Sequence, residues 1–237
     1  MIAVDLTAHG AADTIPPERT IILREGFVGA FLKFAIVAAG AVFVAAVQPA
    51  AAQTVIEDWA NVKAPTAPEL KPATVDPKTT ALLVLDILKQ SCNDQRPRCV
   101  ASLPAIQKML ADARSHGLTV VYSTFPGATM ADTLKEVAPT GNEPNVNAPA
   151  NKFTNPELDK ILKDKGIKTV IVVGTVANGA VLYTASDAAM RGYKVIVPVE
   201  GMSAPNLYQE QFTAWNLANG PTISANTTLT KMSMIAY

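Results

Sequence analysis

The chain has 237 residues, of which 49% are hydrophobic and 17% are charged, and its formal net charge is zero. This composition is typical of a globular protein with enough apolar material to form a core. Because the sequence contains no run rich in lysine and arginine, we expect no nucleic-acid partner.

The N-terminal region predicts a signal peptide or leader over residues 1–52. Arg24 and Lys33 precede an apolar run at residues 34–47, and small residues follow at 50–52. These are the charged, apolar and cleavage regions of a secretory signal peptide. We therefore expect a periplasmic or secreted protein. The alternative is a membrane-anchored protein that retains its leader, since an apolar stretch of about 20 residues can span a bilayer.

Residues 53–78 predict an extended arm rather than part of the core. The segment is rich in proline, alanine and threonine and has no sustained apolar period. Proline lacks a backbone N–H and interrupts both helices and central strands. The compact domain is therefore expected to occupy residues 79–237.

Within that domain, apolar runs alternate with segments of helical spacing. The sequence predicts strands at residues 79–86, 118–123, 167–173, 193–199 and 227–235. It predicts helices at residues 103–116, 155–165, 181–191 and 209–217. Alternation of this kind predicts an α/β fold, a three-layer doubly wound sheet of mainly parallel strands with helices on both faces.

The chain has two cysteines, Cys92 and Cys99, which lie close together in the sequence. Oxidising compartments preserve disulfide bonds, and an even number of cysteines leaves no unpaired thiol. For an exported protein we therefore expect a local disulfide between them. The alternative is a pair of buried free thiols.

Asp86 is the first candidate catalytic residue, because it closes the predicted strand at residues 79–86. In open parallel sheets, ligands bind outside the carboxyl ends of the strands. An acid at that position can move a proton during catalysis. The alternative is that Asp86 caps the following helix.

A turn of small residues at 174–188 follows the strand at 167–173 and opens a predicted helix. Backbone N–H groups converge at such a turn and can hold a ligand. The segment resembles the signature of the isochorismatase-like hydrolase family, also called cysteine hydrolases, in which a Gly-x-x-x-x-x-Cys-Val-x-x-Thr-Ala turn carries the nucleophile. In this sequence Ala180 stands at the position of that cysteine.

The resemblance implies roles for three catalytic positions. Asp86 would be the general acid or base, Lys152 its electrostatic partner, and Ala180 part of the turn that holds a developing anion. The family carries a lysine before a Phe, and counting back from Phe153 without a gap places that position at Asn147. Either the loop is shifted and Lys152 reaches the site, or the lysine is lost.

The resemblance also implies a cis peptide in the turn, at the positions of Val176 and Ala177. Together with the N–H of Ala180, this turn would form an oxyanion-type pocket. The expected substrate-binding residues are Val176, Ala177, Asn178, Gly179, Phe125 and Asn147. The metal-binding Asp-x-His of related nicotinamidases has no counterpart here, so neither a metal nor another cofactor is predicted.

The family resemblance implies a hydrolase that acts on a small molecule, the leader adds export, and Ala180 leaves it without a cysteine nucleophile. Its members commonly form oligomers, so a homo-oligomer is expected, with a membrane partner only if the leader is retained. One alternative is a catalytically silent ligand-binding or scaffold protein of the same fold. Another is an engineered inactive amidohydrolase in which alanine replaces a natural cysteine.

We expect mass spectrometry of the protein purified from its host to show an N-terminus near Gln53. Signal peptidases cleave after small residues, which here are Ala50, Ala51 and Ala52. An intact chain recovered from the membrane fraction would contradict cleavage and support the anchored alternative.

Overall fold

The computed structural model describes residues 54–237, and the predicted leader at residues 1–52 lies outside the described residues. The chain divides into two units, Met1–Glu57 and Asp58–Tyr237. The second unit contains every strand and helix described below. Within residues 54–237, no helix has the length and apolarity needed to cross a membrane.

The described residues contain nine strands and four α-helices. The strands are β1 (Ala73–Thr74), β2 (Thr80–Leu85), β3 (Thr119–Thr124), β4 (Asn145–Asn147), β5 (Thr169–Thr175), β6 (Lys194–Pro198), β7 (Met202–Ser203), β8 (Thr227–Thr230) and β9 (Ile235–Ala236). The helices are α1 (Pro97–Ser115), α2 (Pro156–Asp164), α3 (Leu182–Met190) and α4 (Leu207–Asn219).

The main sheet has the strand order β4-β3-β2-β5-β6-β8, and the short strand β7 pairs with β5. All of these pairs are parallel. From β2 the chain proceeds outward through β3 and β4, and it then returns to the other side of β2 with β5. The boundary between β2 and β5 is therefore the topological switch point, where open α/β sheets bind their ligands.

Helices cover both faces of this sheet. α1 packs against one face, on a cluster that includes Leu82, Val84 and Ile171. α2, α3 and α4 pack against the other face, on a cluster that includes Leu83 and Val172. All six residues of β2 are buried, as expected for a central strand covered on both sides. The predicted three-layer α/β fold is thus confirmed.

Some boundaries differ from the sequence prediction. The helix predicted at residues 103–116 begins at Pro97, because proline is well tolerated in the first turn of a helix. The strand predicted at residues 227–235 is divided into β8 and β9, which lie in different sheets. β9 pairs with β1, which lies within the predicted arm. This pairing joins the C-terminal segment to the predicted arm.

A disulfide joins Cys92 to Cys99, with an S–S distance of 2.02 Å. Cys92 lies in the loop after β2, and Cys99 lies in the first turn of α1. Both residues are buried in the cluster under α1. The bond therefore joins the loop that follows Asp86 to the first turn of α1.

Gly174 allows the two central strands to approach at the switch point. It pairs with Leu85 across β2 and β5, and its φ is +140°. A Cβ atom at this position would lie 2.1 Å from the carbonyl oxygen of Leu85. Only glycine fits such a contact, since the obstructing atom belongs to the backbone and cannot rotate away.

We expect Gly174→Ala to lower the free energy of unfolding by at least about 3 kcal/mol, because the added methyl group forces the two strands apart. Gly166→Ala is the matched control. Gly166 also has a positive φ, of +66°, but a Cβ there would meet no atom within 4 Å. The control should cost only about 1–2 kcal/mol. Equal losses in urea unfolding would contradict this explanation.

Candidate functional site

Asp86 follows β2 at the carboxyl edge of the sheet, at the switch point. Leu85, the last residue of β2, pairs with Ser123 on one side and with Gly174 on the other. The next residues of those neighbouring strands are Thr124 and Thr175. The polar groups at the ends of three adjacent strands therefore meet at one edge.

The carboxylate of Asp86 is held by Ser123. The Ser123 hydroxyl donates to Oδ1 at 2.7 Å and accepts from the backbone N–H of Asp86 at 3.2 Å. Ser91 donates a further hydrogen bond to the carbonyl oxygen of Asp86. Asp86 has a φ of +53°, a left-handed conformation that aspartate tolerates better than most residues. These bonds fix both the backbone and one carboxylate oxygen.

The second carboxylate oxygen of Asp86 contacts Lys152. The distance from Lys152 Nζ to Asp86 Oδ2 is 2.7 Å, and the side chains are only 1% and 7% exposed, respectively. The ammonium also lies 3.0 Å from the carbonyl oxygen of Ala148 and 3.5 Å from that of Thr124. Its three donors thus face three protein acceptors. Lys152 is therefore placed to act on Asp86 rather than to bind a ligand directly.

The backbone of Lys152 is anchored by α3. Lys152 begins a short 3₁₀ turn, Lys152–Thr154, and its N–H donates to the hydroxyl of Thr184 at 3.1 Å. Thr184 is the threonine of the small-residue turn motif recognised in the sequence. The motif therefore also positions the lysine, across a long separation in sequence.

Burial dominates the proton affinities of this pair. It raises the pKa of Asp86, although the neighbouring Lys152 ammonium and the Ser123 hydroxyl both oppose the change. Burial likewise lowers the pKa of Lys152, against the effect of the Asp86 carboxylate. Desolvation is the larger effect, so the pKa of Asp86 lies above its usual value despite the nearby ammonium.

Asn147 lies outside this ion pair. Its side-chain amide donates to the hydroxyl of Thr124 at 2.9 Å and to the carbonyl oxygens of Phe125 and Ala128. It therefore holds the loop that follows β3, while Lys152 supplies the ammonium at Asp86. Phe125 is half-buried at the start of that loop.

The turn after β5 contains the cis peptide, between Thr175 and Val176. The family resemblance places the cis peptide at Val176 and Ala177, so the observed bond lies one position earlier. A five-residue π-helical turn, Ala177–Val181, follows and leads into α3. Turns of this kind are frequent at functional sites.

Ala180 is buried within the π-helical turn. The carbonyl oxygen of Val176 accepts hydrogen bonds from the N–H groups of Gly179 and Val181. It accepts none from the N–H of Ala180, which lies between them. Asn178 and Gly179 are half-buried on the same turn. The turn thus follows β5, the strand next to the one that precedes Asp86. Its predicted nucleophile position, Ala180, carries only a methyl group.

Sequence reasoning missed the supporting residues Ser123 and Ser91, and it located Thr184 in the turn motif without its contact to Lys152. Ser123 had a weak signal, since it is a polar residue near the end of a strand predicted beside that of Asp86. Ser91 acts through local loop geometry, which no spacing pattern indicates. Within residues 54–237, no group of three or more His, Cys, Asp or Glu side chains is arranged to hold a metal ion.

Comparison with known proteins identifies the family to which this chain belongs. A family model described as the isochorismatase domain matches residues 80–228, which is more than half of the chain. The chain belongs to the isochorismatase family. Among curated protein sequences, none matches this chain.

Solved structures of the isochorismatase family share the fold. An isochorismatase-like hydrolase from Alkaliphilus metalliredigens is 24% identical with a TM-score of 0.59, covering 65% of this chain and 95% of its own. A cysteine hydrolase from Pseudomonas syringae pv. phaseolicola is 21% identical with a TM-score of 0.60, covering 71% and 95%. N-carbamoylsarcosine amidase from Thermoplasma acidophilum is 22% identical with a TM-score of 0.55, covering 65% and 96%.

The stability of the site depends on the Lys152 ammonium. We expect Lys152→Met to lower the free energy of unfolding at neutral pH by about 3–5 kcal/mol, because it leaves the buried carboxylate of Asp86 without a counter-charge. Loss of the ammonium raises the pKa of Asp86 further in this variant. The lost stability should therefore return as the pH falls and Asp86 is protonated.

Lys160→Met is the matched control for this measurement. Lys160 Nζ lies 2.6 Å from Asp164 Oδ2, a similar distance, but the two side chains are 65% and 61% exposed. The control should leave the free energy of unfolding nearly unchanged and show little pH dependence. A Lys152→Met protein as stable as the control at neutral pH would contradict the account.

Proposed function

We propose that this protein is an exported isochorismatase-like hydrolase that acts on a small molecule without a cysteine nucleophile, with Asp86 as its proton-transferring residue. The observation that carries the proposal is the buried pair of Asp86 and Lys152 at the switch point of the sheet. A carboxyl group whose pKa is raised by burial keeps its proton at higher pH than an ordinary aspartate. Asp86 therefore acts as a general acid.

The same geometry gives Lys152 a role in the reaction. When Asp86 gives up its proton to the substrate, a carboxylate forms in a buried site. The Lys152 ammonium, 2.7 Å away, stabilises that charge as it develops. Since Asp86 is the more exposed of the two side chains, a substrate at the edge meets the carboxyl group first.

The turn after β5 supplies the second half of the proposed site. The N–H of Ala180 lies between two N–H groups that donate to the carbonyl oxygen of Val176, and we expect it to stabilise negative charge on a substrate. Such stabilisation needs no thiol. We therefore expect a small substrate with an anionic or amide-like group, bound between Asp86 and the turn.

The disulfide supports the proposed export. Cys92 and Cys99 are bonded, and structural disulfides persist mainly in oxidising compartments. The predicted leader at residues 1–52 would direct the chain to such a compartment. The proposed location is the periplasm or the extracellular space.

A catalytically silent binding protein is the second candidate, and one observation favours it. All three donors of Lys152 and both oxygens of Asp86 have protein partners, so the pair is also satisfied without a ligand. A protein of this kind would bind the same class of small molecule but release it unchanged.

We expect turnover of at least one compound when the protein is incubated with a panel of vinyl ethers, amides and lactams. Asp86→Asn should abolish that turnover, because asparagine keeps the shape but cannot supply the proton. Asp164→Asn, at an exposed ion pair, is the control and should retain full activity. For an active compound, kcat/KM should fall as the pH rises through the pKa of Asp86.

Three outcomes would overturn the proposal or redirect it. A kcat/KM that rises with an acidic pKa would make Asp86 a base. Ligands that raise the melting temperature but are never turned over would favour the silent binding protein. Strong amidase activity in Ala180→Cys, with none in the parent, would indicate an inactive form of a cysteine hydrolase.

A further inference from the structure

The backbone around Lys152 has no strand or α-helix of its own to hold it. Lys152 lies in the connection at residues 148–155 between β4 and α2, which forms only a short 3₁₀ turn. Burial lowers the pKa of Lys152, because the ammonium loses its hydration there. A free connection would therefore let the ammonium leave Asp86 for water. Contacts from outside the connection must hold it in place.

The helix α3 supplies these contacts. It touches three consecutive residues, which we call the Lys152 segment, namely Asn151, Lys152 and Phe153. Thr184 accepts a hydrogen bond from the N–H of Lys152 at 3.1 Å. One turn further along α3, Asp187 Oδ2 accepts a hydrogen bond from the side-chain amide of Asn151 at 2.8 Å. The amide oxygen of Asn151 accepts from the N–H of Phe153 at 3.0 Å, so Asn151 links Asp187 to the 3₁₀ turn.

Arg191, at the C-terminal end of α3, holds both Asp187 and the third residue of the Lys152 segment. Its Nε donates to Asp187 Oδ1 at 2.6 Å. Its guanidinium carbon lies over the ring of Phe153, 4.7 Å from the ring centre, which is the geometry of a cation–π contact. An isolated i, i+4 ion pair on a helix contributes little to stability. This pair, in contrast, contacts the Lys152 segment at two points.

The position of α3 makes these contacts relevant to the site. The helix begins where the π-helical turn that contains Ala180 ends, so it joins that turn to the Lys152 segment. The ammonium of Lys152 has its partners elsewhere, on Asp86 and on two backbone carbonyl oxygens. Any effect of Asp187 on the ion pair therefore passes through the backbone of the Lys152 segment.

We propose that Asp187, itself held by Arg191, is a positioning residue that ties the Lys152 segment to α3 and so keeps the ammonium of Lys152 on Asp86. It acts through the segment and does not touch the reacting groups. The inference rests on the proposed function where turnover is concerned, whereas its effect on the ion pair can be measured without a substrate.

Asp187→Ala should raise the titration midpoint of Asp86, followed in the full chain by ¹³C NMR of the aspartate carboxyl carbons. The variant frees the Lys152 segment, and an ammonium that leaves Asp86 no longer opposes the effect of burial on the pKa of Asp86. We expect an upward shift of at least about 0.5 pH. The sign is decisive, because losing a negative charge that acted directly through space would lower the midpoint.

Three further variants separate positioning from a general loss of structure. Asp187→Asn keeps an oxygen that can accept the Asn151 amide, so the Asp86 midpoint should lie closer to the parent value than in Asp187→Ala. Asn151→Ala changes no charge and should also raise the midpoint, which preserves the test if Asp187→Ala fails to fold. Asp112→Ala is the matched control and should leave the midpoint unchanged. It breaks an i, i+4 pair with a distance of 2.7 Å on α1, across the sheet.

An Asp86 midpoint that is unchanged or lowered in folded Asp187→Ala and Asn151→Ala would overturn the inference, even if both variants melt at a lower temperature. For a compound that the parent turns over, Asp187→Ala should lower kcat and leave KM unchanged, because Asp187 does not touch the substrate. A parent that turns over no compound, but shows the midpoint shifts, would overturn the proposed function and support this inference.

Discussion

The site depends on a buried ion pair, Asp86 with Lys152, at the one point where the chain reverses its direction across the sheet. Transferring two opposite charges into the interior is unfavourable unless each finds close partners. Here every donor and acceptor of the pair is occupied, by Ser123, by two backbone carbonyl oxygens and by the partner itself. The elements that supply these partners must therefore be held in a fixed arrangement.

Three parts of the fold provide that arrangement. Gly174 lets β5 approach β2 closely enough for the strand ends to share an edge. Thr184 in α3 anchors the backbone of Lys152 from the opposite side. The disulfide ties the loop that follows Asp86 to the first turn of α1. Each part belongs to a different segment of the sequence, and together they define one site.

The sequence predicted the fold well because its signals are local. The apolar run before Asp86 and the small-residue turn before α3 each indicate a buried parallel strand that ends at a ligand-binding edge. The predicted start of α1 was too late, because the apolar spacing that indicates the helix begins only at Leu103. The division of residues 227–235 was missed, since only the pairing of β9 with β1 separates the two strands.

The chemistry of the site was less predictable, because it depends on distances and on burial. Spacing alone placed Asn147 at the family's lysine position and left open whether Lys152 reaches the site, and the contact of Lys152 with Asp86 distinguishes the two. The direction of the pKa shift of Asp86 depends on the balance between an attractive neighbour and the larger effect of desolvation, and the degree of burial is visible only in the structure. A hydroxyl such as that of Ser123 gives a weak signal, because most serines have no such role.

The central claim is that Asp86 holds its proton more strongly than an ordinary aspartate. It can be tested without a substrate by ¹³C NMR on protein labelled at the aspartate side-chain carboxyl carbons, with Asp86→Asn used to assign the signal. The account predicts that the titration midpoint of Asp86 lies above the value of about 3.9 found for exposed aspartates. A midpoint at or below that value would contradict it, because Asp86 would then hold its proton no more strongly than an exposed aspartate.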